Sequence, residues 1–119
     1  HAITVELARK ASLEEVLGAW RETPRVRFVR GGEGITSTAQ VMELARDLQR
    51  SRSDLYEIAV WEDGVHVENR TLYYFQAVHQ EADVVPENVD AIRAMLELEA
   101  DGTESIRKTD RALGIPTTF

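Results

Sequence analysis

The first residues alternate in polarity, with Ile3, Val5 and Leu7 set against Thr4 and Glu6. That is the period of a strand with one covered face, running roughly from Ala2 to Leu7. The spacing then changes, because Leu13, Val16, Leu17 and Trp20 fall at helical intervals behind Ser12, with Glu15 three residues after it. This is a capping box, which satisfies two otherwise orphaned amides and predicts a helix packed through Trp20. Pro24 disfavours helical geometry in the residue before it, so the helix should stop near Thr23, and Arg25 to Arg30 reads as a second strand. After the glycines at 31, 32 and 34, Ser37 and Gln40 repeat the capping-box spacing. The helix they open places Val41, Leu44, Ala45 and Leu48 on one face and turns Glu43, Arg46, Asp47 and Gln49 outward. Three strand-like runs follow, Leu55 to Trp61, Val65 to Glu68 and Leu72 to Val78, joined through Asp63-Gly64 and Asn69-Arg70. Such short connections predict an antiparallel meander.

Pro86 suits the first position of a third helix, where its missing amide proton has no partner to lose, and the helix should run to about Glu99. Its apolar residues form two seams, Val89-Ile92-Leu96 and Ala91-Met95-Leu98, wider than a simple surface helix needs. Something should cover both. Asp101-Gly102 breaks the chain, and a weaker helix follows from about Thr103 to Leu113, ended by Gly114 and Pro116. The fold class expected is α+β: a mixed or antiparallel sheet with helices packed mainly on one face, followed by two C-terminal helices.

At 119 residues and 43% hydrophobic, the chain is the size of one domain that can bury a core, and no apolar run is long enough to cross a bilayer. Fourteen basic against 21 acidic residues leave a net charge of −7, which repels polyphosphate backbones and anionic membranes alike. Neither nucleic acid nor a membrane is therefore expected as a partner. There is no cysteine, hence no disulfide, no thiolate metal site and no cysteine nucleophile. The chain opens on His1 inside what reads as a strand, an improbable natural start, and no secretory leader is visible. The default compartment is the cytoplasm.

Several residues invite a chemical reading, each with a plainer alternative. Gly31 to Ser37 leads into a helix N-terminus that could hold an anion, but it has neither the Walker lysine nor a dinucleotide fingerprint, and a connecting loop explains it. Arg25, Arg27 and Arg30 could clamp phosphate, yet Arg25 and Arg27 alternate with Val26 and Phe28, as on the solvent face of a strand. His66, between Val65 and Val67, should be a solvated imidazole. Glu81, Asp83, Glu87 and Asp90 could bind a hard cation or form a solvated rim, and no metal-ligand spacing is present. Tyr73, Tyr74 and Phe75 look like strand packing. His79-Gln80 stands where an apolar strand runs out into a loop, a place where scaffolds display binding groups, although spacing alone favours a structural role.

The run from Gln76 to Ala94, QAVHQEADVVPENVDAIRA, closely resembles the C-terminal part of archaeal-type (type II) glyceraldehyde-3-phosphate dehydrogenase. The resemblance extends to the His1 to Leu7 strand, Glu22 to Val26, Gly34 to Ala39, Leu55 to Trp61 and Ala112 to Ile115. It implies membership in a longer, homo-oligomeric enzyme that oxidises glyceraldehyde 3-phosphate with NAD or NADP and phosphate, through a thioester on a cysteine lying outside this chain. Within the resemblance, His1 matches the family's candidate general base and Gln80 a contact to the nicotinamide end of the cofactor. Ala82 replaces a common serine, which removes any hydroxyl contact there. Residues 1–84 then correspond to the end of the catalytic domain, and 85–119 to helices that pack on a nucleotide-binding domain. The alternative, from a different class, is a stand-alone, non-catalytic binding or oligomerisation module.

Overall fold

The computed structural model describes residues 1–116, which form five strands and four α-helices. Strand β1 (Ala2–Glu6) is followed by α1 (Leu13–Arg21), β2 (Val26–Val29), α2 (Thr38–Asp47) and β3 (Ile58–Trp61). Then come β4 (His66–Glu68), β5 (Thr71–Ala77), α3 (Val84–Met95) and α4 (Gly102–Leu113). The sheet runs β1-β5-β3-β2, with β4 also on β5. Its β2–β3 pair is parallel and the others are antiparallel, so the sheet is mixed, in the expected α+β class.

Helix starts follow the sequence closely. Ser12 Oγ accepts from the Glu15 amide at 3.2 Å while the Ser12 amide donates to Glu15 Oε2 at 2.7 Å, completing the capping box. At α2, Ser37 Oγ accepts from the Gln40 amide at 3.3 Å, but Gln40 Oε1 reaches one residue further back and accepts from the Thr36 amide at 2.7 Å. Helix α3 begins two residues before Pro86, which lies buried in its first turn, where the missing amide costs nothing. It stops at Met95 rather than Glu99, as Glu97 enters the left-handed region with φ 53°.

The meander holds only in part. From β3 the chain turns through a 3-10 segment, Glu62–Gly64, and β4 does not pair with β3. Instead β4 pairs with the first half of β5 (Val67 opposite Leu72) and β3 with its end (Val60 opposite Gln76). Asp63-Gly64 is thus not a two-residue hairpin turn, since Gly64 lacks the positive φ such a turn uses.

Two apolar clusters divide along β3. Val60, with Val65 and Leu72, packs with Leu17 of α1; Ala59, with Val29 and Ala77, packs with Val41 and Ala45 of α2. Successive strand residues face opposite ways, so α1 and α2 cover opposite faces, a more even distribution than helical patterning alone suggests. Every residue of β3 is apolar, the composition of a strand covered on both sides.

The C-terminal helices attach differently. Tyr56, Ala82 and Ile115 form a small third cluster, but the larger junction is ionic. Arg25, at φ 62°, donates Nη1 to Glu87 at 2.9 Å, Nη2 to Asp90 at 2.7 Å and Nε to Asp110 at 2.8 Å. Arg93 adds bonds to the Ser105 carbonyl at 2.8 Å and the Thr109 hydroxyl at 2.7 Å, joining α3 to α4. Burial pushes the Asp110 carboxyl above its usual range despite Arg25. Asp90 is held below its usual range, because Thr109, Arg25 and Arg93 outweigh the burial that opposes them.

A second buried carboxylate, Glu57, accepts from Arg50 at 2.7 Å and from Arg27 at 2.9 Å. Burial would raise its pKa, yet the two guanidiniums hold it below the ordinary range. A folded-state pKa below the unfolded value means that the stabilisation is present above about pH 4.3 and is lost as pH falls through the folded value. Stability should therefore decline on acidification below about pH 5. Glu57→Gln should cost about 2–4 kcal/mol at pH 7 and make that decline shallower, as read from urea unfolding between pH 7 and pH 3. An equally steep acid limb in the variant would refute the assignment.

Candidate functional site

Pairing of β1 with β5 carries His1 to the end of the ladder. Its amino nitrogen donates to the Gln76 carbonyl at 2.7 Å, and the Gln76 amide donates back to the His1 carbonyl at 3.0 Å. Beyond this pair opens a cleft of about 420 Å³ bounded by β5, the start of α2 and the Trp61–Gly64 turn. His1, Gln76, Phe75 and Trp61 line it, together with Asp63 and the run Thr36-Ser37-Thr38. Trp61 Nε1 donates to the Ile35 carbonyl at 2.7 Å and fixes one wall. The Gly32 amide donates to Asp63 Oδ2 at 3.3 Å, and a Cβ on Gly31 would lie only 3.2 Å from the same oxygen, which favours glycine there. The cleft thus sets an imidazole, an amide and hydroxyl groups around one space beside the positive end of a helix. That composition, with the Asp63 carboxylate and the aromatic rings of Trp61 and Phe75 on the same walls, offers a group for proton transfer.

Gln80 lies elsewhere. It is exposed in the turn after β5, does not line the His1 cleft, and its amide makes no hydrogen bond among the described residues. The other proposed site residue, His1, is exposed and brings its Nδ1 to 3.5 Å from Gln76 Nε2. His79, by contrast, has a structural partner: the buried Leu55 amide donates to its Nδ1 at 3.2 Å, with Asp54 Oδ1 3.9 Å away. Accepting at Nδ1 places the neutral ring's proton on Nε2.

His66 is exposed, its ring 6.2 Å from that of Tyr73, and Tyr74 packs edge-on against Trp20 with centroids 4.9 Å apart. The glycine stretch forms a 3-10 turn ending at Gly34, whose φ of 90° favours glycine. Two readings need correcting. Arg25 and Arg27 are not on a solvated strand face, since both meet buried carboxylates that strand alternation cannot reveal. Of the acidic set, Glu87 and Asp90 both bond Arg25; Glu87 remains a largely exposed rim residue, whereas Asp90 is drawn in and the rim reading fails there; among the described residues no group of three candidate metal ligands assembles.

The cleft residues Gln76, Trp61, Asp63 and Thr36 were not singled out by the sequence. Gln76 carried one signal, a polar side chain in phase with Leu72 and Tyr74 on an otherwise apolar strand.

No family model matches the chain. Over 115 residues, 97% of its length, the chain is 56% identical to glyceraldehyde-3-phosphate dehydrogenase of Methanobacterium bryantii, covering 34% of that protein. Over the same length it is 56% identical to the enzyme of that name from Methanopyrus kandleri (33% covered) and 52% identical to glyceraldehyde-3-phosphate dehydrogenase 2 of Methanosarcina acetivorans (34% covered). The chain therefore spans about a third of the length of the curated relatives it matches, and its resemblance to archaeal glyceraldehyde-3-phosphate dehydrogenases covers nearly all of it.

His79→Ala should leave the buried Leu55 amide without its acceptor and cost about 1–3 kcal/mol. Gln80→Ala, which breaks no bond among the described residues, should stay within about 0.5 kcal/mol of the parent chain. Parallel thermal unfolding of the two variants decides the matter, and equal losses would show that His79 and Gln80 do not divide structure from display in this way.

Proposed function

We propose that this chain supplies the general base and a cofactor-side contact of an archaeal-type phosphorylating glyceraldehyde-3-phosphate dehydrogenase, whose nucleophile lies outside it. The observation that carries the reading is His1 at the mouth of a cleft whose walls combine aromatic faces with polar groups, in a chain similar along nearly its full length to enzymes of that name. In this reaction a cysteine thiolate adds to the aldehyde of glyceraldehyde 3-phosphate. His1 takes the hydroxyl proton as the carbonyl re-forms and the thioester appears. Oxidised NAD or NADP, when bound, supplies the hydride acceptor. Inorganic phosphate then displaces the thiolate, giving 1,3-bisphosphoglycerate.

Gln80 fits the cofactor role by its chemistry: an exposed amide with no hydrogen bond among the described residues offers both a donor and an acceptor to a carboxamide. Residues 1–84 belong in this reading to the catalytic domain of a cytoplasmic homo-oligomer. Residues 85–119 are the helices that pack on a nucleotide-binding domain; of these, 117–119 lie outside the described residues. The apolar surface of α3 and of the segment after it supports the second assignment, with Met95 81% exposed, Leu98 67% and Ile92 57%. Contiguous apolar surface of this kind rarely stays uncovered.

Two outcomes follow. Purified alone, the chain should self-associate through α3, so light scattering should show a mass that rises with concentration, and Met95→Glu should suppress the rise; a concentration-independent monomer would refute the assignment. In the full-length protein, His1→Asn should lower the single-turnover rate of thioester formation by about 10²–10⁴-fold while cofactor affinity stays unchanged. Gln80→Ala should weaken cofactor binding by about 1 kcal/mol and leave cysteine alkylation normal. A wild-type rate in His1→Asn would assign the base to another group.

A further inference from the structure

Beside His1 in the cleft stands a carboxamide to which the reaction scheme gives no role. Gln76 is directly opposite His1 in the β1–β5 ladder, continuing the register in which Ala2 faces Phe75. The two backbones exchange both ladder bonds, and the side chains meet in the cleft with Gln76 Nε2 3.5 Å from His1 Nδ1. An imidazole that takes a proton at Nε2 must first carry its own proton on Nδ1, and whatever faces Nδ1 decides that tautomer. A carboxamide can do this through either end. Its NH2 donates to a bare Nδ1, and after a half-turn of the amide its oxygen accepts from Nδ1–H, in both the neutral base and the imidazolium.

We propose that Gln76 is the positioning residue for His1, holding the ring through Nδ1 so that Nε2 is left for the substrate hydroxyl. The inference rests on His1 being the base. Two other polar lining groups are engaged elsewhere: the Thr36 hydroxyl donates to Gln40 Oε1 and Trp61 Nε1 to the Ile35 carbonyl. Asp63, on the Glu62–Gly64 turn, is the other titratable residue that lines the cleft among the described residues, and its Oδ2 accepts from Gly32. In the proposed reading, where a peptide bond precedes His1, the nitrogen that bonds the Gln76 carbonyl is an uncharged amide.

The test uses the full-length protein with His1→Asn, Gln76→Leu, Gln76→Glu and the His1→Asn/Gln76→Leu double variant. Single-turnover thioester formation is measured against pH, and circular dichroism and unfolding midpoints establish that each variant folds. Gln76→Leu should lower the chemical rate by about tenfold or more without changing cofactor affinity. Gln76→Glu keeps the shape and adds a carboxylate beside the imidazole, so the acid limb of the profile should move up by about one pH unit. On the His1→Asn background Gln76→Leu should have no further effect, because the two side chains act as one unit. Should His1→Asn lose rate while both Gln76 variants keep the wild-type limb, or should the losses simply multiply, the positioning role is overturned and the base stands. A wild-type profile in His1→Asn overturns both.

Discussion

The guanidinium of Arg25 ties the C-terminal helices to the sheet. It sits just before β2, 7% exposed at the side chain, and its nitrogens reach Glu87 and Asp90 on α3 and Asp110 on α4. A charge this far from water is tolerable only when its donors are nearly all engaged, and the planar fork of arginine meets three carboxylates that a lysine could not. The left-handed backbone at Arg25 belongs to the same arrangement, since a non-glycine residue at φ 62° is held there by its surroundings. The Ile58 amide also bonds the Arg25 carbonyl at 2.9 Å, so the start of β3 depends on the same residue.

An ionic attachment changes what the attached helices can do with their apolar residues. Helix α3 turns Asp90 and Arg93 inward and α4 buries Ser105, Thr109 and Asp110, while Ile92 and Met95 face out. In a self-sufficient domain the polarity would run the other way. The inversion is tolerable if the outer seams have a cover of their own, and it leaves the polar junction to set the angle at which they are presented.

Much of this was legible in the sequence where one residue acts on its near neighbours. The Ser12–Glu15 box, the stop before Pro24, the end of α4 at Gly114 and the strand at β1 all follow from local geometry, although in β1 only Ile3 is partly covered. What stayed hidden depends on contacts distant in sequence. Arg25 and Asp110 are 85 residues apart, and nothing beside either distinguishes a buried ion pair from two solvated charges. The pairing of β3 with the end of β5 was equally invisible, because Asp63-Gly64 spells a hairpin that the chain does not make. The site divided along the same line. His1 and Gln80 could be matched to a family pattern, whereas Gln76, Trp61 and Thr36 converge only when β5, β3 and the start of α2 are assembled.

The placement of His1 depends in turn on the opposite end of its strand. A slip of one residue between β1 and β5 would turn every side chain of β1 to the other face and take the imidazole out of the cleft. The register is pinned at the hairpin that precedes β5, where Asn69 adopts φ 56° and the Leu7 amide donates to the Arg70 carbonyl at 2.7 Å. Arg70 answers from its side chain, Nε to the Leu7 carbonyl and Nη2 to Glu6 Oε1, each at 2.9 Å. A strand of five residues is too short to hold its alignment by side-chain packing on one edge of a sheet, and only Ile3 in it is partly covered. The clamp at Leu7 and Arg70 therefore fixes, six residues away, which side chain of β5 His1 must face, and that side chain is Gln76.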